Sequence, residues 1–384
     1  AVDQSEFYGA ALWQLNKSLT HPLKSIIKML LLKMFLEAPE DELMSNKFKR
    51  CVHEAHLRQT TLDPSLYTMQ EVLDYYSNRI RPDYFDFIKK CFYLRYEMKM
   101  LTGAQTLKEE IAADVFRKFK LEREEIYSLN EFDTWPLWEQ IQFGGLMFEF
   151  VTDIYRNIVT LQKGITGDID PRDLTIIGRK LSSSMDAKSF KLPPLHISTE
   201  NTTLPMFTFS HIDGLWQVQA QDLREEPIIG SEDIVFCLAY LVWNGIFDPS
   251  QIRMQPNQTS VTIQEIINLG KTIQDVFGVY DIASVHFNRF LEEEKIDKIL
   301  IVISFEEADF TMDIRDVCVL YKNNWEEIFV RRFPTLDRMK YFLQKAAKMS
   351  SRMESHYYIQ RNNKYYEKII ERTKNMIAQI FMGR

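Results

Sequence analysis

Three lysines pose the first chemical question. Lys17, Lys24 and Lys28 recur across a stretch reading Leu12-Trp13-Gln14-Leu15-Asn16-Lys17-Ser18, then Pro22-Leu23-Lys24-Ser25 and Lys28-Met29-Leu30-Leu31-Leu32. Lys24 and Lys28 are four apart, so a helix carries both ammonium groups on one face. A positive stripe beside a buried Trp13 suits a polyphosphate. A solvated lysine face over a core helix is the plainer alternative, and composition alone favours it. The elements that must position these lysines are a helix pair. Trp13, Leu23, Ile26, Ile27 and Leu30 to Leu32 give that pair a wide apolar face. Pro22 sits early in the second helix, where a missing N–H costs little.

Beyond this pair, residues 6 to about 185 read as helix after helix. Helical spacing of apolar residues recurs in Leu66–Tyr76, Tyr84–Met98, Ile111–Phe119 and Leu137–Leu161. Asp133 or Thr134 can cap the last of these, with Pro136 early in it. Gly144-Gly145 in its middle lowers helix propensity, which a close helix approach or a kink would explain. One more helix follows Asp170-Pro171-Arg172-Asp173 and ends near Met185.

The texture then changes. Lys188 to Asn201, with Pro193-Pro194, is loop chemistry. Leu204–Ser210 and Leu215–Ala220, around Asp213-Gly214, read as a β-hairpin. Helices are expected over Ser231–Trp243, with Ser231 as cap, and over Val261–Phe277. Strands are expected over Lys298–Phe305, Asp316–Lys322, Glu327–Arg332 and His356–Ile359, and helices over Leu336–Met349 and Tyr365–Phe381. The fold class is α+β: an all-helical domain over 1–186, a linker over 187–202, and a smaller α+β domain over 203–384 with a mixed or antiparallel sheet. No internal repeat is visible.

Composition bounds the partners. The 384 residues carry a net charge of −7 with 45% hydrophobic and 13% aromatic residues, a globular profile with no long basic run. A broad nucleic-acid footprint is excluded on that ground, whereas a nucleotide needs only a few local lysines. The four cysteines, Cys51, Cys91, Cys237 and Cys318, form no CxxC pair and read as buried thiols of a cytoplasmic protein. No run of 18 apolar residues and no signal pattern is present, so no membrane span is expected. The start at Ala1 with a helix almost at once reads as a fragment or a processed chain.

The lysine stretch resembles the class I adenylate cyclases, the bacterial family that makes cyclic AMP on a nucleotidyltransferase-type core. In that family a similar block follows the catalytic domain. Further matches occur in order: Cys91-Phe92-Tyr93-Leu94 before Arg95, Arg179-Lys180-Leu181, Trp243-Asn244-Gly245, and Leu320-Tyr321-Lys322-Asn323-Asn324-Trp325-Glu326-Glu327. The resemblance spans nearly all of the chain.

Such a core needs a Gly-Ser turn followed by two carboxylates spaced D-x-D on one strand, where alternation puts both on one face to hold two metal ions. No such pair is evident. Gly230-Ser231 has no D-x-D after it, and it reads as a helix cap. Asp168-Ile169-Asp170 lies in a turn with no Gly-Ser before it. No P-loop, GxGxxG, HExxH or GxSxG is present. His53 and His56 read as a surface or half-buried pair. Glu306, Glu307, Asp309, Asp313 and Asp316 read as a solvated loop, and Trp138, Trp216, Trp243 and Trp325 as core anchors.

The resemblance therefore implies that the metal site, with its magnesium, lies mainly on residues outside this chain. It implies ATP and an upstream catalytic domain as partners, and a sugar-phosphotransferase protein acting on a regulatory C-terminal part. Its nucleotide-side helical subdomain would offer Lys17, Ser18, Lys24 and Lys28 to the phosphates, with Arg179 and Lys180 as weaker candidates. Two rivals stand beside it: a non-catalytic interaction module sharing the fold, and a self-sufficient phosphoryl-transfer enzyme using Asp168 and Asp170.

Overall fold

A computed structural model describes residues 4–19, 21–37, 44–57, 62–96, 106–166, 175–185, 188–195, 204–220, 227–282, 285–306, 312–314, 316–350 and 353–381. The chain forms two compact units: Ala1–Trp135 with Phe143–Asp173, and Pro136–Gln142 with Leu174–Arg384. No helix among the described residues is long and apolar enough to cross a membrane.

The first unit is helical throughout its described elements: α1 (Gln4–Ser18), α2 (Pro22–Glu37), α3 (Met44–Leu57), α4 (Pro64–Tyr76), α5 (Pro82–Arg95), α6 (Leu107–Lys118), α7 (Arg123–Asn130) and α8 (Leu137–Thr166), the first residues of α8 being counted with the second unit. Pro22, Pro64 and Pro82 each open a helix, where no N–H partner is lost. Asp63 caps α4 by accepting from the backbone N–H of Ser65 at 2.8 Å and of Leu66 at 2.9 Å. Thr106 and Glu109 form a reciprocal capping box on α6. Leu15, Ile26, Met29, Leu30, Met69, Leu73, Phe87, Phe92 and Phe116 are buried. The Tyr76 hydroxyl donates to the Leu30 carbonyl at 3.0 Å, which ties α4 to α2. Cys91-Phe92-Tyr93 is core on α5, so that block is a packing motif. At Gly145 an added methyl would meet nothing within 4 Å, so no close approach accounts for it.

The second unit holds two sheets. After α9 (Thr175–Met185) come β1 (Phe207–Ile212), β2 (Leu215–Ala220), β3 (Ile229–Ser231), α10 (Ile234–Trp243), β4 (Ile252–Met254) and α11 (Ile263–Phe277). Then follow β5 (Ile296–Ile303), β6 (Val317–Asn323), β7 (Ile328–Phe333), α12 (Leu336–Met349), β8 (Glu354–Ile359) and α13 (Tyr366–Phe381). The strand orders are β3-β2-β1-β4 and β7-β6-β5-β8. In each sheet the first three strands are an antiparallel meander, and the fourth runs parallel to the first. The unit is thus one βββαβα module used twice, a repeat that the sequence conceals.

The two modules are stacked. Leu300, Val302, Leu320 and Val330 of the second sheet share a core with Leu238, Leu241, Ile266 and Ile273 of α10 and α11, and with Phe207, Phe209 and Val218 of the first sheet. Ile299, Ile301, Ile303 and Val319 face the other way, onto Met339 and Leu343 of α12 and Ile369 and Met376 of α13. With helices on both faces, β5 is buried from Ile299 to Ile303 and reads as a continuous apolar run. Asp213 and Gly214, at φ 52° and 80°, make the tight turn expected between β1 and β2.

Two local expectations are corrected. Asp233, not Ser231, caps α10, accepting from the Val235 N–H at 2.8 Å. The Ser231 hydroxyl instead accepts from the Asp233 N–H at 3.1 Å. The described part of the 187–202 segment, residues 188–195, is not a free connection. The Leu192 N–H donates to the Ile328 carbonyl at 2.9 Å and the Val330 N–H to the Phe190 carbonyl at 2.8 Å, so this segment lines the β7 edge with Leu192 buried.

Candidate functional site

Burial of Ile26, Met29 and Leu30 fixes the rotation of α2, and that rotation puts Lys24 and Lys28 on the exposed side, four residues apart. None of the described ion pairs or hydrogen bonds involves either. Trp13 is 46% exposed, which corrects its expected burial. The Lys17 ammonium lies 5.3 Å from the centre of its ring, close enough for a cation–π contact. The Ser18 hydroxyl is buried and donates to the Leu15 carbonyl at 2.6 Å. Ser18 therefore serves the end of α1, and the lysines carry the charge of this face.

Arg179 and Lys180 belong to the second unit. The Arg179 Nη1 donates to the carbonyls of Phe290, Leu291 and Glu292 at 2.8, 3.1 and 3.1 Å. Its guanidinium also lies 5.5 Å from the Trp325 ring centre. Lys180 is buried, and that burial lowers its pKa from the usual lysine range. Beside them, Glu327 is 1% exposed and takes Lys188 at 2.9 Å and Lys191 at 3.1 Å. Asn323 locks the same turn: its Nδ2 donates to Glu327 Oε2 at 2.7 Å, and its Oδ1 accepts the Glu327 N–H at 2.9 Å. Trp243 and Tyr280 meet with ring centres 4.5 Å apart, and the Tyr280 hydroxyl donates to Ser184 at 3.3 Å. Asn244 accepts from the Leu195 N–H at 2.6 Å. The Arg179-Lys180, Trp243-Asn244 and Asn323–Glu327 blocks, scattered in sequence, thus tie α9 and the 188–195 segment to the end of α10 and to the turn between β6 and β7.

A second polar cluster was missed by the sequence reading, which took Glu306 and Asp316 for a solvated loop. Arg332 of β7 donates from Nη2 to Glu306 Oε2 at 2.7 Å, from Nη1 to Asp316, and from Nε to Asp233 Oδ2 at 3.1 Å. The available signal was the place of Arg332 two residues after Val330, on the strand face of the buried Ile328 and Val330, because a charge on such a face needs buried partners. Burial works against the Arg332 charge, but Asp233 and Glu306 outweigh it and hold the guanidinium protonated. Glu307 and Asp309 lie outside the described residues, as do Asp168 and Asp170. Among the described residues, no three His, Cys, Asp or Glu side chains are arranged to hold a metal ion. His53 and His56 are both exposed on α3.

A family model described as "Adenylate cyclase, class-I, second domain" matches residues 2–196, half of the chain. The chain belongs to the class I adenylate cyclase family. The adenylate cyclase of Salmonella typhimurium strain LT2 is 22% identical over 218 residues, covering 55% of this chain and 26% of that protein. That of Proteus mirabilis is 19% identical over 378 residues, covering 86% of this chain and 44% of the relative. That of Escherichia coli strain K12 is 22% identical over 192 residues, 49% and 23% of the two chains. The chain thus spans less than half the length of these curated relatives. No solved structure matches it. The class I family match covers the Lys24/Lys28 face, Arg179-Lys180 and the 188–195 segment, and ends before β1.

Proposed function

We propose that this chain is the part of a class I adenylate cyclase that lies beside the nucleotide, with its α1–α2 face turned to the ATP phosphates. The observation that carries the reading is the exposed Lys24 and Lys28 pair, for which no described carboxylate supplies a counter-charge. Conversion of ATP to cyclic AMP has the 3′-hydroxyl attack the α-phosphorus while pyrophosphate leaves. Negative charge then gathers on the leaving phosphates, where fixed ammonium groups stabilise it. Lys24 and Lys28 would do this, with Lys17 held beside Trp13 at the end of α1. The described residues do not fit a magnesium pair; in this reading the carboxylates and their metal belong to a part of the protein outside this chain. Arg179 and Lys180 are left out of the phosphate role: one is clamped by three carbonyls and the other is buried. The second unit would be the regulatory part, and a sugar-phosphotransferase protein its partner.

The test uses a protein that also carries the catalytic part. Lys24→Ala and Lys28→Ala should each lower kcat/KM for ATP about tenfold, the scale of one lost charge-assisted hydrogen bond, with unfolding unchanged. Wild-type kinetics in the double variant would remove the nucleotide role and leave a non-catalytic interaction module.

A further inference from the structure

Two of the polar joints between the modules of the second unit lie at the N-termini of first-module helices. At α11, Glu265 is buried. Its Oε2 accepts the Tyr358 hydroxyl at 2.6 Å and its Oε1 the backbone N–H groups of Arg361 and Asn362 at 3.0 and 3.2 Å. This joint holds one carboxylate with three donors, a balanced set. At α10 the joint is built differently. Glu306 Oε1 accepts the Ile234 N–H at 2.7 Å, in the first turn of α10, while its Oε2 accepts from Arg332. Asp233, the α10 cap, also pairs with Arg332, at 3.0 Å from Nη2. Asp316, at the start of β6, takes the remaining arm. Three carboxylates from three segments therefore share one guanidinium, and among the described residues the buried thiols of Cys237 and Cys318 also interact with the cluster. Glu306 and Asp316 also bracket the loop between β5 and β6, which in the first module is only the Asp213-Gly214 turn.

We propose that the Arg332–Asp233–Glu306–Asp316 cluster is a pH-responsive joint between the two modules, firm in mild acid and loosened above neutrality. One arginine can balance one carboxylate outright and share a second, but a third charge in the same half-buried space is repelled by the other two. A proton on Glu306 removes that repulsion and leaves its Oε1 free to accept from Ile234. Burial, opposed by Arg332 and reinforced by Asp233 and Asp316, accordingly lifts the Glu306 carboxyl from 4.5 to about 7. A carboxyl raised in the folded state stabilises below its unfolded value, and that contribution is lost as pH rises through the folded value. The Glu265 joint, with its donors already matched, carries no such excess.

The test is amide hydrogen exchange of the whole chain at several pH values, with protection corrected for the intrinsic rate. Protection at the first turn of α10 should fall about tenfold between pH 6 and 8, the change that a carboxyl moved from 4.5 to about 7 produces. Protection at the first turn of α11 should stay level. Glu306→Gln, which keeps an acceptor and removes the titration, should flatten the α10 profile. A pH-independent wild-type profile at α10 overturns the proposal, whatever the variant does. Parallel losses at α10 and α11 overturn it too, because they would mark general loosening of the unit.

Discussion

The α1–α2 face and the α9–Glu327 cluster carry the same kind of charge in opposite conditions. On α2, Lys24 and Lys28 are exposed, and no described carboxylate answers them. Around Glu327, Lys188 and Lys191 close on a buried carboxylate, and Arg179 is held by three carbonyls. Both regions contain lysine- or arginine-bearing blocks of the family resemblance, and the sequence offers both for the phosphates, with Arg179 and Lys180 ranked below the α1–α2 lysines. What separates them is neutralisation: a cation already satisfied inside the fold holds elements together, whereas one without an internal partner is available to a ligand.

The contrast can be broken by mutation. Glu327→Ala leaves two lysine charges without their shared partner, and truncating one member of a buried ion pair costs about 3–5 kcal/mol. Urea denaturation of the whole chain should register that loss, and a cost below about 1 kcal/mol would show that the cluster is not structural. The glycines sharpen the same contrast between tight and open surroundings. Gly270→Ala would place a methyl 2.3 Å from the Phe247 ring, and overpacking of this kind costs about 1–3 kcal/mol. Gly145→Ala, exposed in the middle of α8 with nothing near, should instead stabilise by about 0.5–1 kcal/mol. Smallest of all is the effect on stability of Lys24→Ala with Lys28→Ala, which should stay within about 0.5 kcal/mol. A larger change would mean that the face has a packing role.

Much of the fold was legible in the sequence, and the reasons differ by element. The run within Lys298–Phe305 announced a strand, and Asp213-Gly214 between alternating runs announced a hairpin. β3 and β4 were not seen because three residues give no periodicity to read. The duplication was hidden because topology constrains only which positions are apolar. The long loop between β5 and β6 further disguised the match with the short β1–β2 turn. At the candidate site, the spacing of Lys24 and Lys28 gave their shared face. The exposure of Trp13 and the captured state of Arg179 depend on the tertiary fold: Trp13 stays 46% exposed, and Arg179 meets carbonyls more than a hundred residues away. The Arg332 cluster was misread for the same reason, since its four members come from four separate segments.

The most direct test of the account is lysine-selective acetylation with and without ATP, read by mass spectrometry, on a cyclase that carries this chain and its catalytic part. Lys24 and Lys28 should be modified readily in the free protein and protected when ATP saturates turnover, while Lys188, paired with Glu327, should react equally in both states. Unchanged modification of Lys24 and Lys28 under saturating ATP would contradict the assignment of this face to the nucleotide.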